Sequence, residues 1–199
     1  MRIGCDVDGV LADFNRAFIE RTVLVTKKDL FPARPFDILT WNYPESYGYT
    51  SAEVSAVWKD VKRDPIFWSS LPAYVGTWDA INLLRLREVN DGDEVYFITA
   101  RPGYRVKFQT EIWLQANSGY PTWTPTVLIS SDKGGCAKAL QLDRYIDDRT
   151  DNVYDVAGTG TRTYLMDRTW NRVLVNCGIE RVASVQEMLG TYIVDSLVS

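Results

Sequence analysis

A chain of 199 residues, 46% of them apolar and 13% aromatic, has the means to bury a substantial core, which excludes a disordered polymer. Its formal net charge of −4 argues against wrapping an extended nucleic acid, which needs a basic stripe, but leaves single phosphates within reach. With 0 histidines, Ser-His-Asp triads, phosphohistidine intermediates, histidine general bases and histidine-ligated zinc are all ruled out.

The first predicted element is a strand over residues 2–7, which runs into Asp6-Val7-Asp8-Gly9-Val10-Leu11-Ala12-Asp13. Gly9 permits a tight turn there, so both leading carboxylates can swing toward one crevice. Acids beside an apolar strand are costly unless a cation or hydrogen bonds compensate them. A hard divalent cation does so, and Mg²⁺ binds through one or two carboxylates while leaving positions for water and phosphate. The pattern points to phosphoryl chemistry. Cys5, inside the apolar strand, reads as a small buried residue. Cys136 and Cys177 lack the following arginine of a cysteine phosphatase loop, and an unpaired set of 3 cysteines suits a reducing compartment. No signal peptide is read ahead of Met1-Arg2, and no apolar run is long enough for a bilayer. The expectation is a cytoplasmic protein without a membrane partner.

Residues 15–76 break the strand rhythm. Aromatics crowd this stretch, Phe18, Trp41, Tyr43, Trp58, Phe67 and Trp68 among them, with prolines at 32, 35, 44, 65 and 72. Helices are predicted over 16–22 and 51–62, the second opened by Thr50-Ser51-Ala52-Glu53 as a capped start. Asp13 reads as the structural cap of the segment that follows it. The stretch is expected to be a mostly helical cap inserted after the first strand.

From residue 77 onward, helices and short apolar strands alternate. Helices are predicted at 77–89, 104–116, 134–142 and 151–157. Strands are predicted at 94–98 ending in Thr99, at 126–129 ending in Ser130-Ser131, at 144–146 ending in Asp147-Asp148, and at 163–166 ending in Asp167. Apolar strands alternating with helices mark a parallel sheet covered on both faces, with its ligand beyond the carboxyl ends of the strands. The fold expected is therefore α/β: a Rossmann-like parallel sheet formed by residues 1–14 and 77–199, with the cap at 15–76.

Four elements in order then carry a specific likeness. Asp6 and Asp8, Thr99, Lys133, and the pair Asp147-Asp148 stand where the haloacid dehalogenase-like phosphatase superfamily has its four signature motifs, and over its core the chain resembles that superfamily. Phe97-Ile98-Thr99-Ala100-Arg101-Pro102, Tyr145-Ile146-Asp147-Asp148-Arg149 and Phe67-Trp68-Ser69-Ser70-Leu71-Pro72 are most similar to its 5'(3')-deoxyribonucleotidase branch. The resemblance implies Asp6 as the nucleophile that forms an aspartyl-phosphate and Asp8 as general acid and then base. It implies Mg²⁺ held by Asp6, the Asp8 carbonyl, Asp147 and Asp148. Thr99 donates to a phosphoryl oxygen, and Lys133 offsets the clustered charge and orients Asp6. Ala100, Arg101, Phe18 and Trp41 join Thr99 and Lys133 as candidates for substrate contact. The substrate implied is a small phosphomonoester, a (deoxy)ribonucleoside monophosphate, and a homodimer is compatible with the resemblance.

Plainer readings stand beside these. Asp147-Asp148-Arg149 also suits a surface ion-pair loop, Thr99 a turn, and Lys138 competes with Lys133 one helical turn on. Arg101, Arg105 and Lys107 read equally as phosphate ligands or as solvated charges. The cap aromatics are core by default, with Phe18, Trp41, Tyr43 and Trp68 the candidates to stack on a base. The stretch 167–172 is placed to close over the site. Rival functions are a phosphatase of polynucleotide ends, a sugar-phosphate phosphatase, and a non-enzymatic phosphate-binding module of the same fold.

Overall fold

A computed structural model describes residues 1–32, 38–40, 43–172 and 178–190. Six parallel strands form one sheet in the order β3-β2-β1-β4-β5-β6. They are β1 (Arg2–Cys5), β2 (Glu94–Thr99), β3 (Thr126–Ile129), β4 (Arg144–Asp147), β5 (Arg162–Met166) and β6 (Glu180–Val182). The chain crosses from one half of the sheet to the other beside β1, so the carboxyl ends of β1, β2 and β4 flank the switch point where α/β sheets bind ligands.

Alternation along the strands explains the two covered faces. Phe97 and Ile146 belong to one buried cluster, with Ile81 and Leu84 of α4 (Thr77–Leu86) and Trp113 and Leu114 of α5 (Val106–Ser118). Their strand neighbours Ile98 and Tyr145 belong to another, with Ala137 of α6 (Lys133–Leu140) and Val156 of α7 (Thr150–Ala157). Successive side chains leave a strand on opposite sides, so each strand feeds both cores.

The expected elements form with shifted ends, and local chemistry sets each shift. Predicted to begin at residue 134, α6 starts one residue earlier because Asp132 caps it, its carboxylate accepting the Gly135 amide at 2.7 Å. Arg105 takes a left-handed conformation with φ 47°, which delays α5 from residue 104 to Val106. Beyond Leu86, α4 gives way to a π turn over Arg87–Asp91 that Gly92 ends. Asp13 caps α1 (Phe14–Thr26) by accepting the Arg16 amide at 3.1 Å, as its reading as a structural cap requires. The sequence reading missed β6 and α8 (Val185–Leu189), which follow β5 and extend the sheet by one strand.

Between β1 and α4 lie α1, the single turn α2 (Tyr43–Ser46) and α3 (Ser51–Arg63). The reciprocal box between Thr50 and Glu53 opens α3 as expected. Arg21 of α1 bridges Asp60 and Asp64 at the end of α3, at 2.5 Å to each. An aromatic stack fastens α1 to α3 and to the segment that precedes α4: Phe14 lies 5.6 Å from Trp68 and 5.7 Å from Trp58, and Phe18 lies 4.8 Å from Trp58. Such offset pairs add to plain area burial. Cys5 and Cys136 are free thiols, and Cys177 lies outside the described residues. Among the described residues no helix is long and apolar enough to cross a membrane.

Candidate active site

The site begins where β1 runs out. The Asp6 amide still bonds to Ile146 of β4 at 2.9 Å, and then the chain turns back on itself. The amides of Leu11 and Ala12 both donate to the Val7 carbonyl, at 2.9 and 2.8 Å. Gly9 makes this turn possible with φ +82°, and a Cβ there would fall 2.3 Å from the Asp148 carboxylate. Gly9→Ala is therefore expected to cost about 1–2 kcal/mol from backbone conformation alone, with the clash adding to it. Urea unfolding of the variant checks this, and a midpoint equal to that of the unaltered chain would contradict it.

Asp6, Asp8, Thr99, Ala100, Arg101, Lys133, Asp148 and Phe18 line one cavity of about 420 Å³. Tyr43, Trp58 and Trp68 contribute aromatic wall to it. Lys133, the first residue of α6, is 1% exposed; its ammonium lies 2.6 Å from Asp6 Oδ1 and also donates to the Ile98 carbonyl. Lys138, the alternative to Lys133 in the sequence, is not among the described lining residues.

Three buried carboxylates, Asp6, Asp147 and Asp148, bring one oxygen each within 4.8 Å of one another. Burial, with Asp147 and Asp8 adding to it against the pull of Lys133, pushes the Asp6 carboxyl up to about 8. Burial likewise raises Asp147 against the pull of Lys133, and raises Asp148 well above the carboxylate range with Asp147 and Asp6 contributing. Lys133 is held above its ordinary value, because Asp6 and Asp147 outweigh the desolvation that would lower it. One buried ammonium thus faces three buried acids. An all-oxygen set with excess negative charge is the chemistry of a hard divalent cation, and these residues fit one.

The acids are held by partners that the sequence reading did not name. Asp147 accepts from the Tyr145 hydroxyl at 2.5 Å, the Arg149 amide at 2.9 Å and the Asn152 amide group at 3.0 Å. Tyr145 stands two residues before Asp147 on β4, so the strand period was a usable signal for that pair. Trp170 donates to Asp148 Oδ2 at 2.8 Å, and Asn171 to the Asp148 carbonyl at 2.8 Å. Arg168 donates to the carbonyls of Gly9 and Val10 at 2.6 and 3.1 Å. The stretch 167–172 therefore braces the turn and Asp148, and none of its residues is among the described ones lining the cavity.

A family model described as 5' nucleotidase, deoxy (pyrimidine), cytosolic type C protein matches residues 1–196. The chain belongs to this family. It is accordingly a haloacid dehalogenase-like phosphatase of nucleotidase type, a hydrolase of phosphoric monoesters. A protein of Oceanobacillus iheyensis, provisionally named a nucleotidase, is 28% identical over 131 residues, which span 64% of this chain and 66% of that protein. A Bacillus cereus protein with the same provisional name is 26% identical over 195 residues, covering 94% of this chain and 96% of its own length. The structure of a haloacid dehalogenase-like hydrolase from Streptococcus pneumoniae superposes with a TM-score of 0.60 at 13% identity, covering 95% of this chain and 96% of that one. That likeness concerns the fold.

Set against the nucleotidase motifs, the remaining candidates divide plainly. Asp8 stands apart from the acid cluster by its carboxylate, which bonds to Thr99 at 3.1 Å and to Arg101. Arg105 is exposed over the Tyr104 ring, and Lys107 pairs with Glu111, so neither reaches the cavity. Phe18 lines the cavity while packing on Trp58. Trp41 lies outside the described residues.

Proposed function

We propose that this nucleotidase hydrolyses a (deoxy)ribonucleoside monophosphate with Mg²⁺, in two displacements at phosphorus. The observation that carries the reading is the meeting of Asp6, Asp8, Thr99 and Lys133 on one cavity, with Asp147 and Asp148 closing an acid cluster around Asp6. With Oδ1 held by Lys133, Asp6 presents Oδ2 as the nucleophile. It displaces the leaving alkoxide and becomes an aspartyl-phosphate. Asp8 gives the proton to the leaving oxygen and then takes one from the water that frees phosphate. Thr99 donates to a phosphoryl oxygen, and Lys133 offsets the charge of the cluster.

Asp6, the Asp8 carbonyl, Asp147 and Asp148 would hold the cation. When bound, Mg²⁺ supplies charge screening between nucleophile and phosphate and polarises the phosphoryl oxygens. Residues 15–76 act as the cap in this reading. Phe18, Trp58 and Trp68 give the base aromatic wall, and a cavity of about 420 Å³ suits one small ligand. The family's description as deoxy, pyrimidine and cytosolic supports a deoxyribonucleotide and a cytoplasmic location.

Phosphate release from a panel of nucleoside monophosphates, sugar phosphates and phosphorylated oligonucleotide ends tests the reading. Release from mononucleotides is expected with Mg²⁺ and not with chelator. Release confined to oligonucleotide ends or to sugar phosphates, or undiminished by chelator, would overturn the corresponding part.

A further inference from the structure

We infer that Arg101 is the positioning residue that holds Asp8 for proton transfer, an inference that rests on the reading of Asp8 as acid and base. Its guanidinium Nη2 donates to Asp8 Oδ1 at 2.7 Å, and Nε lies 3.1 Å from Oδ1 and 2.9 Å from Oδ2. The Arg101 side chain is fully buried, whereas Asp8 keeps 17% exposure toward the cavity. A planar, permanently charged fork of this kind fixes the plane of a carboxylate as well as its charge.

The fork is itself fixed from the other side. Nη1 donates to the Thr110 hydroxyl on α5 at 3.0 Å. The guanidinium carbon lies 5.1 Å from the Trp68 ring centroid and 6.0 Å from that of Trp113. Both indoles are tethered by their own N–H groups, Trp68 to the Pro102 carbonyl at 3.1 Å and Trp113 to the Leu71 carbonyl at 2.7 Å. Arg101 therefore transmits the position of α5 and the Phe67–Pro72 segment to a carboxylate that sits just before the Gly9 turn.

A division of labour between the two Asp8 oxygens follows. The Thr99 hydroxyl has one proton, and here it goes to Asp8 Oδ2 at 3.1 Å. In the proposed reaction the same proton serves a phosphoryl oxygen. When Thr99 turns to the phosphate, Oδ2 loses the Thr99 donor and keeps only its share of Nε, while Oδ1 stays held by Nη2. Once Oδ2 has taken up a proton from solvent, that proton passes to the leaving-group oxygen as the P–O bond breaks, and the attacking water returns one to the same atom. Arg101 keeps the carboxylate from swinging during both transfers and gives up no proton itself.

The rival role is a direct phosphate ligand, since Arg101 also lines the cavity. Kinetics separate the two. Arg101→Lys keeps the charge and loses the fork, and Arg101→Gln provides a second variant should either fail to fold, with thermal unfolding as the control. Positioning predicts that kcat falls about 100-fold, the scale of a misplaced reacting group, while inhibition by inorganic phosphate is unchanged in Arg101→Lys. It also predicts that Arg101→Lys has no further effect in an Asp8→Asn background, because residues acting as a unit are not additive. Added guanidinium should restore part of kcat to Arg101→Ala. Weakened phosphate inhibition with kcat retained, or a full additional loss on top of Asp8→Asn, would overturn the inference. If Asp8→Asn alone kept full kcat, the acid–base reading beneath it would fall first.

Discussion

Asp6→Asn is expected to lower kcat by about 10⁴-fold or more while leaving the fold intact, the scale seen when a covalent nucleophile is lost. The carboxamide keeps the shape and its oxygen still accepts from Lys133, whose ammonium lies 2.6 Å from Oδ1. What it removes is the anion that attacks phosphorus. The fold should not suffer, because the substitution takes one charge out of a cluster of three buried acids that repel one another. Steady-state kinetics with urea unfolding check both halves. A residual kcat within about tenfold of the unaltered enzyme would deny Asp6 the nucleophile's role.

Lys133→Met is expected to act on stability and rate together. The ammonium is the one buried cation bonded to Asp6 among the described residues, and its side chain is 2% exposed. Removing one partner of a buried pair costs about 3–5 kcal/mol. Proton uptake by Asp6, already pushed up to about 8, sets the cost toward the lower end. Loss of a charge-stabilising group at the reacting centre lowers the rate on the order of 10²–10³. Added Mg²⁺ should recover part of the stability, since a ligand that binds only the folded state raises it. Denaturant titrations with and without Mg²⁺ measure this. An unchanged midpoint in the metal-free protein would contradict the assignment of Lys133 as the counter-charge.

Much of this was legible because the chemistry sits where the chain's local signals are strongest. Asp6, Thr99 and Asp147 each end a short apolar strand, and a parallel sheet collects such ends at one edge. Lys133 was legible just ahead of the helix predicted at 134–142, and the Asp132 cap makes it the first residue of α6. Three features carried no local signal. In β6, Glu180-Arg181-Val182, only Val182 is buried, so no apolar run or alternation announces the strand. The bond from Arg101 to Asp8 joins residues 93 apart, and that from Trp170 to Asp148 joins residues 22 apart. Neither follows from periodicity, because tertiary packing alone selects which polar group meets which. Arg101 shows the difference well: in the sequence it read equally as a phosphate ligand or a solvated charge, yet its guanidinium is engaged by Asp8 and Thr110.

The claim on which the rest depends is that phosphate passes through a covalent bond to Asp6. Acid quenching of the enzyme during turnover of a substrate carrying a radiolabelled phosphate tests it directly. Protein-bound label is expected that hydroxylamine releases, that maps to the peptide containing Asp6, and that is absent from Asp6→Asn. Turnover without bound label under rapid quench, or label that persists in Asp6→Asn, would contradict it.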